Sequence, residues 1–591
     1  MNGKRSRFAL SFLALALLGG CQGDRDDPPN DGAAGASGSN GTGGGNGSGG
    51  AGPASYTFLG PTEHLVRASM ALRGTRPSGD ELARVKADPA ALEGIVDQYL
   101  ASPEFGATLR DLHNEALLVR AAPVIFPLGF PARGPLAAEE QQRLNVALME
   151  APLRLIEHVV MNDRPYSEIV TGDYTLADGR VAAVWGLEHQ GAFDAWTETR
   201  WDDGRPNAGI LSDSTLFTRH STTYSNGNRG RANLVSTALL CYDFLSREIG
   251  GADASINLGD PKEVADAVKV NQGCAGCHQT LDPLASFFGA FHPLFVPSDP
   301  STSYPFTFYL PPLEPVFNVT ESAYFGQRGE GLAFLGDAIA ADPRFSLCAA
   351  KRFYGYLNEM SPAEVPLEVA SPLQAAFIGS GLNARKLVKA IVLGDDFRAA
   401  AGPDGAPGGR LLKARPAQLA RLVEDLTGFR WKARLDAELP TGQGAPVGQV
   451  GEIDLLTDSF FGLEVLAGGL DSVAVTQATH TMTPTAALTL RTLASLAAQH
   501  VVASDFAQAD PSKRKLLRQV GPAEAGEAAL RDQIAALYLR LYGVAAEPNG
   551  DDVAATYQLF TSARQAAGGD AARAWTTTLF AMLQDARIAY Y

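Results

Sequence analysis

The chain has 591 residues, 45% of them apolar, and a formal net charge of −16 with only 19% charged residues. That apolar content supplies a sizeable core and excludes a wholly disordered chain. The acidity argues against a nucleic-acid partner, which would call for clustered Lys and Arg.

The first twenty residues predict an export signal. Lys4, Arg5 and Arg7 form a basic start, and "FALSFLALALL" (8–18) is an apolar run too short to cross a bilayer but right for a secretory core. "LGGC" (18–21) resembles a bacterial lipobox, which implies cleavage before Cys21 and lipidation of its thiol. An ordinary signal peptide cut nearby is the alternative. Residues 21–54 then form a Gly/Ser/Asn-rich linker unable to bury enough surface to fold. As a coil it spans roughly 30 Å. The expected layout is a folded body tethered by lipid in the cell envelope, on the periplasmic side or at the outer membrane. No other stretch is apolar enough to span a membrane.

Beyond the linker the pattern is mainly α, in a multi-lobed helical body. Ser78 with Glu81 reads as a capping box, and Asp88-Pro89 and Ser102-Pro103 each put a capping residue before a helix-starting proline. Leu92, Ile95, Val96, Tyr99 and Leu100 recur at helical spacing. The same spacing appears in "CAAKRFYGYL", "ARKLVKAIVLGDDF", "PTAALTLRTLASLAAQHVV" and "LRDQIAALYLRLYG". The best strand signal is "YPFTFYL" (304–310). Residues 64–82 and 533–553 echo one another as a helix, a glycine stop, a proline and a new acidic-capped helix. Polar breaks at "DDGRPNAG" (202–209) and "AGPDGAPGGR" (401–410) divide the body into an N-terminal helical domain (55–205), a central domain (206–400) and a C-terminal helical domain (411–591).

The central domain carries "NQGCAGCHQTLDP" (271–283). With 5 Cys and 9 His in the chain, random placement yields Cys-x-x-Cys-His about 6 × 10⁻⁴ times. The motif reads as a haem c site, with Cys274 and Cys277 positioned for thioether bonds and His278 as axial ligand, at once cofactor-binding and metal-ligating. The preceding helix is expected to stop at Gly273. A turn at Asp282-Pro283 offers a backbone carbonyl for the second imidazole nitrogen. Zinc would need four ligands where one Cys pair is visible, and a dithiol switch lacks a thioredoxin-like βαβ context. Cys241 and Cys348 leave an even count in an oxidising compartment. They predict a disulfide closing a loop of about 106 residues, worth roughly 4–5 kcal/mol in the chain-entropy model; two buried thiols are the alternative.

The stretch "CAGCHQTLDPLASFFGAF" resembles the haem-attachment segment of planctomycete-type cytochrome c–associated multi-domain proteins, whose domains are mostly of unknown function. "VDQYLASPEFG" (96–106), "NDRPYSEIVTGDYTLAD" (162–178), "GILSDSTLFTRHSTTYSNGNRGRANLVSTALLCYDF" (209–244) and "LGDAIAADPRFSLCAAKRFYGYL" (335–357) are similar to other segments of that family. Ala285 stands where the family often has Gly, and "GAFHPL" replaces its usual Phe-Asp. The resemblance implies covalent haem at Cys274 and Cys277 but transfers no reaction. The sixth-ligand candidates are His220, His292, Met360 and Met482. His220 is preferred because the resemblance puts its segment next to the motif. Arg229 or Arg231 is a candidate partner for a haem propionate. The reading is thus a membrane-tethered monohaem c-type cytochrome transferring electrons to an unidentified redox partner protein. The alternatives are a haem-dependent oxidoreductase and a surface scaffold or binding lipoprotein.

Overall fold

A computed structural model of the chain describes residues 55–121, 136, 139–218, 220, 227–246, 256–257, 259–297, 305–310, 321–402, 408–435, 451–523 and 526–591. The lipobox, Cys21 and the linker up to residue 54 lie outside them. The described residues form 22 α-helices and ten short strands, so the protein is mainly α. The strands pair into five two-stranded sheets, including Phe291–Pro297 against Phe306–Tyr309.

Local chemistry sets the helix ends. Ser78 Oγ accepts from the Glu81 N–H at 3.2 Å while Glu81 accepts from the Ser78 N–H at 2.7 Å, the reciprocal capping box that starts helix Gly79–Ala87. Ser102 caps Pro103–Leu117 with one bond, its Oγ accepting from the Phe105 N–H at 3.4 Å. Asp88 behaves differently: it ends the preceding helix, and the next begins at Ala91, because Asp88 also accepts from the Ala90 N–H to form a turn around Pro89.

The two echoing segments fold alike. Pro61–Arg73 stops at Gly74, with φ 69°, and Glu527–Tyr542 stops at Gly543, with φ 73°. Left-handed backbone at a helix end favours glycine. The two hairpins also touch: a Cβ on Gly543 would lie 2.6 Å from Val66 Cγ2, and the buried Arg76 donates to the Leu541 carbonyl.

Residues 52–591 form one compact unit with two hydrophobic cores. The first runs from Leu65 to Leu412 and the second from Ala414 to Ala589, joined by Met70. The first core passes through the expected boundary at 205/206 without a break. The polar stretch 202–209 is packed structure, not a linker: 202–204 are exposed, but Arg205, Ala208 and Gly209 are buried. Arg205 lies 3.8 Å over the Trp201 ring, donates to the Ser212 carbonyl and Ser214 Oγ, and is paired with Asp203. Its polarity is satisfied internally, which is what allows it inside. The division near residue 410 coincides with the change of core. There the C-terminus returns, Leu412 and Tyr591 exchanging both backbone hydrogen bonds.

Candidate functional site

Asn271 organises the motif. It ends helix Pro261–Val270, and its side chain accepts from the N–H groups of Gly273 and Cys274, capping helix Gln272–Ser286. The first helix therefore stops at Val270 rather than at Gly273. The second runs straight through Asp282-Pro283, where the sequence suggested an extended turn. Pro283 removes one backbone donor near the end of that helix. The burial of Leu281, Leu284 and Phe288 outweighs it. Phe288 packs on Phe217 at 5.0 Å between ring centroids, and Phe287 stacks on Phe334 at 6.0 Å.

Cys274, Cys277 and His278 are related as i, i+3 and i+4, so the helix presents them on one face. Both thiols are free and part-exposed. A Cβ on the intervening Gly276 would meet nothing within 4 Å among the described residues, so that side of the helix is open. His278 Nδ1 lies 3.0 Å from Asp282 Oδ1, one turn on. Arg229 grips the same carboxylate in bidentate fashion, Nε at 2.7 Å from Oδ1 and Nη2 at 2.9 Å from Oδ2. Burial pushes the Asp282 carboxyl up, but the hydrogen bonds from His278 and Arg229 outweigh it and hold the group below its ordinary range. An ionised carboxylate accepts, so His278 carries its proton on Nδ1. That leaves Nε2, which has no hydrogen-bond partner among the described residues, free to bind a metal.

Arg229 and Arg231 both belong to helix Arg229–Leu240. Arg229 engages Asp282. Arg231, 1% exposed, donates to the carbonyls of His220 and Phe291 and to Asn228 Oδ1, and burial pushes its pKa down to about 9. The far end of the helix is fastened too. Cys241, its left-handed C-cap, is joined by a disulfide to Cys348 in helix Pro343–Asn358, with 5.3 Å between Cα atoms. Arg352 donates to the carbonyls of Thr237 and Ala238, placing a cation at the negative end of the helix dipole.

The remaining expected ligands are scattered. His220 is part-buried, and its carbonyl is tied through Arg231 to helix Arg229–Leu240, whose Arg229 grips Asp282. His292 lies in strand Phe291–Pro297 with its side chain outside the described residues. Met360 packs on the first core and Met482 on the second. Among the described residues, no three His, Cys, Asp or Glu side chains converge as a metal cage, and no helix is long and apolar enough to cross a membrane. Sequence reasoning missed Asp282 as a side-chain acceptor. The signal was there in His278-x-x-x-Asp282, the i, i+4 spacing at which helical side chains meet.

Whether the site suits haem c rests on three requirements. Two thiols must be free, which Cys274 and Cys277 are. They must share a face with the imidazole, which the helical spacing ensures. The imidazole must keep a nitrogen for iron, which the Asp282 contact leaves. The residues fit the group. Comparison with family models, with curated proteins and with solved structures finds no match for this chain.

Proposed function

We propose that the protein is a lipid-anchored, single-haem c-type cytochrome that transfers electrons in the cell envelope. The observation that carries this reading is the Cys274/Cys277/His278 face with its Asp282–Arg229 support. Cys274 and Cys277 supply the thiols for covalent attachment, and His278 supplies an axial nitrogen through Nε2. Asp282 fixes the tautomer and ring orientation of His278 and strengthens it as a donor. Arg229 keeps Asp282 ionised and in place. The bound haem supplies a one-electron iron couple whose potential the protein tunes through ligand, burial and hydrogen bonding. The "LGGC" lipobox and the linker set the location, and His220 remains the preferred sixth ligand. The resemblance to the planctomycete-type cytochrome c–associated proteins supports the same reading.

A second reading, a haem-dependent oxidoreductase with an open sixth position, is favoured by one specific feature. A carboxylate on the proximal imidazole makes it a more basic ligand than a carbonyl would, and strong donation from the proximal side suits oxygen or peroxide chemistry.

The test is production with the native signal in a host competent for c-type maturation, followed by acid–acetone extraction and a pyridine haemochrome spectrum. Haem that stays with the polypeptide, and is lost in C274A/C277A, is expected. Carbon monoxide binding then separates the two readings: none for a six-coordinate carrier, a Soret shift for an open site. A polypeptide free of covalent haem overturns both.

A further inference from the structure

A second site lies away from the motif helix. Helices Pro103–Leu117 and Gln141–Met161 face helix Pro416–Thr427, strand Gly451–Asp454 and the segment 457–464 across a cleft of about 460 Å³. That volume falls in the ordinary range for small-molecule sites, roughly 300–1,000 Å³. Helix Gln141–Met161 contributes to the first core and helix Pro416–Thr427 to the second, so the cleft lies where elements of the two cores meet, a favoured kind of place for ligands.

The walls are strongly charged but already internally neutralised. Asp111 is held by Arg120 at 2.7 Å and Arg421 at 2.9 Å. Glu150 is held by Arg110 at 2.8 Å and Arg120 at 2.6 Å. Arg430 pairs with Glu424 and Asp454. Asp458 accepts from the N–H groups of Phe460 and Phe461 and from Gln142. Any anion or cation entering would have to break these pairs and leave a partly buried partner uncompensated, which costs several kcal/mol.

Three polar positions in the lining lack a hydrogen-bond partner among the described residues, although Arg154 Nη1 itself pairs with Glu157 at 3.1 Å. Asn145 is 2% exposed and its Oδ1 has no partner among the described residues. Arg154 Nε is buried and likewise unpartnered. The Glu464 carboxyl receives no hydrogen bond from any described residue. Burial pushes it well above the ordinary range, and Asp111, Asp458 and Asp454 reinforce this against the opposing Arg120. Burial thus favours the protonated form of this carboxyl, which can donate as well as accept. Buried polar atoms are normally paired, so Asn145 Oδ1 and Arg154 Nε, both buried without a partner and lining the same cleft as Glu464, mark places where a ligand's groups belong. Phe460, 48% exposed and edge-on to Phe461 at 4.5 Å, adds an apolar face to the same lining.

We propose that this cleft binds a neutral saccharide, with ring hydroxyls meeting Asn145, Arg154 and Glu464 and the C–H face of a sugar ring lying on Phe460. Neutrality follows from walls whose charges are already matched. Several hydroxyls are required by a donor, an acceptor and a group that can be either. The flat apolar ring requires a ligand with an apolar face.

The experiment is isothermal titration of the folded chain from residue 22 onward at pH 7 against glucose, galactose, N-acetylglucosamine, maltose and cellobiose, with glucuronate and glucosamine as charged counterparts. Saturable binding of at least one neutral sugar is expected, at least tenfold tighter than either charged counterpart. Phe460→Ala, at an exposed position, and Glu464→Ala should each weaken it at least tenfold. Glu464→Gln, the isostere of the protonated acid, should keep affinity within about threefold. Three results overturn the proposal: no saturable binding by any neutral sugar, charged counterparts binding equally well, or F460A and E464A both binding like wild type. The outcome is independent of the haem reading, since no residue of the motif helix lines the cleft.

Discussion

The disulfide between Cys241 and Cys348 gives the strongest quantitative prediction. Its sequence separation is 107, and the chain-entropy relation for a loop of that size gives about 16 cal/mol/K, or about 4.8 kcal/mol at 25 °C. A typical domain is stable by roughly 5–15 kcal/mol, so the bond carries a third or more of the total. Replacing both cysteines by alanine avoids leaving a lone thiol. Helices Arg229–Leu240 and Pro343–Asn358, which the bond connects, both contribute to the first core. The loss should therefore fall on that core's unfolding. Guanidinium denaturation followed by far-ultraviolet circular dichroism, with the fluorescence difference against a Trp575→Phe derivative as a local probe of the second core, should show a first-core loss of about 4–5 kcal/mol in C241A/C348A. Dithiothreitol treatment of the wild type should reproduce it. A loss below about 1 kcal/mol, or one confined to the second core, would refute the reasoning.

Two further predictions concern carboxylates, the half-buried Asp282 and the buried Asp213. Asp282→Asn keeps an acceptor near His278 Nδ1 but removes its charge and its bidentate pair with Arg229. Second-shell losses of 10- to 100-fold, falling on the ferric state, correspond to a rise of roughly 60–120 mV in the haem midpoint potential at about 59 mV per decade. A potentiometric titration showing no rise would contradict the assigned role. Asp213, 2% exposed, is pushed from 3.8 up to about 6 by burial. Its folded pKa lies above the unfolded one, so the folded state binds the proton more tightly. The stability it contributes is complete below about pH 4 and is lost as pH rises through about 6. The rise amounts to roughly 3 kcal/mol. Asp213→Asn should flatten the wild-type decline in unfolding free energy between pH 4 and 7; parallel curves for the two proteins would sink the assignment.

The helical class was legible because amphipathic spacing and capping residues act within one turn. Ser78, Ser102 and the Gly74/Gly543 stops could be read directly, since each is decided by its neighbours in sequence. What was not legible depends on distant partners. Arg205 looks like a linker residue until Trp201, Ser212 and Ser214 are seen to enclose it. Pro283 looks like a turn until the apolar face of its helix is buried against Phe217 and its neighbours. The Cys-x-x-Cys-His spacing was evident at once, but its acceptor was assigned to a carbonyl. Pro283 suggested a helix end, and only a continuous helix brings Asp282 back beneath His278.

The attachment chemistry and the tuning of the site therefore belong to different levels of the structure. A segment covering 271–286 already contains Asn271, both thiols, His278 and Asp282, and helix formation alone aligns them. The charge state of Asp282 is another matter. Burial acts against ionisation, and the hydrogen bonds from His278 and from Arg229, 53 residues away in sequence, together tip the balance back. Arg229 is in turn held by a helix pinned at its start through Arg231 and at its end by Arg352 and the Cys241–Cys348 bond. If His278 ligates a haem as proposed, its electronic character as a ligand is thus set by the first core as well as by its own helix. Perturbations that leave the motif intact but loosen helix Arg229–Leu240 act on the strength of the ligand, not on the capacity for attachment.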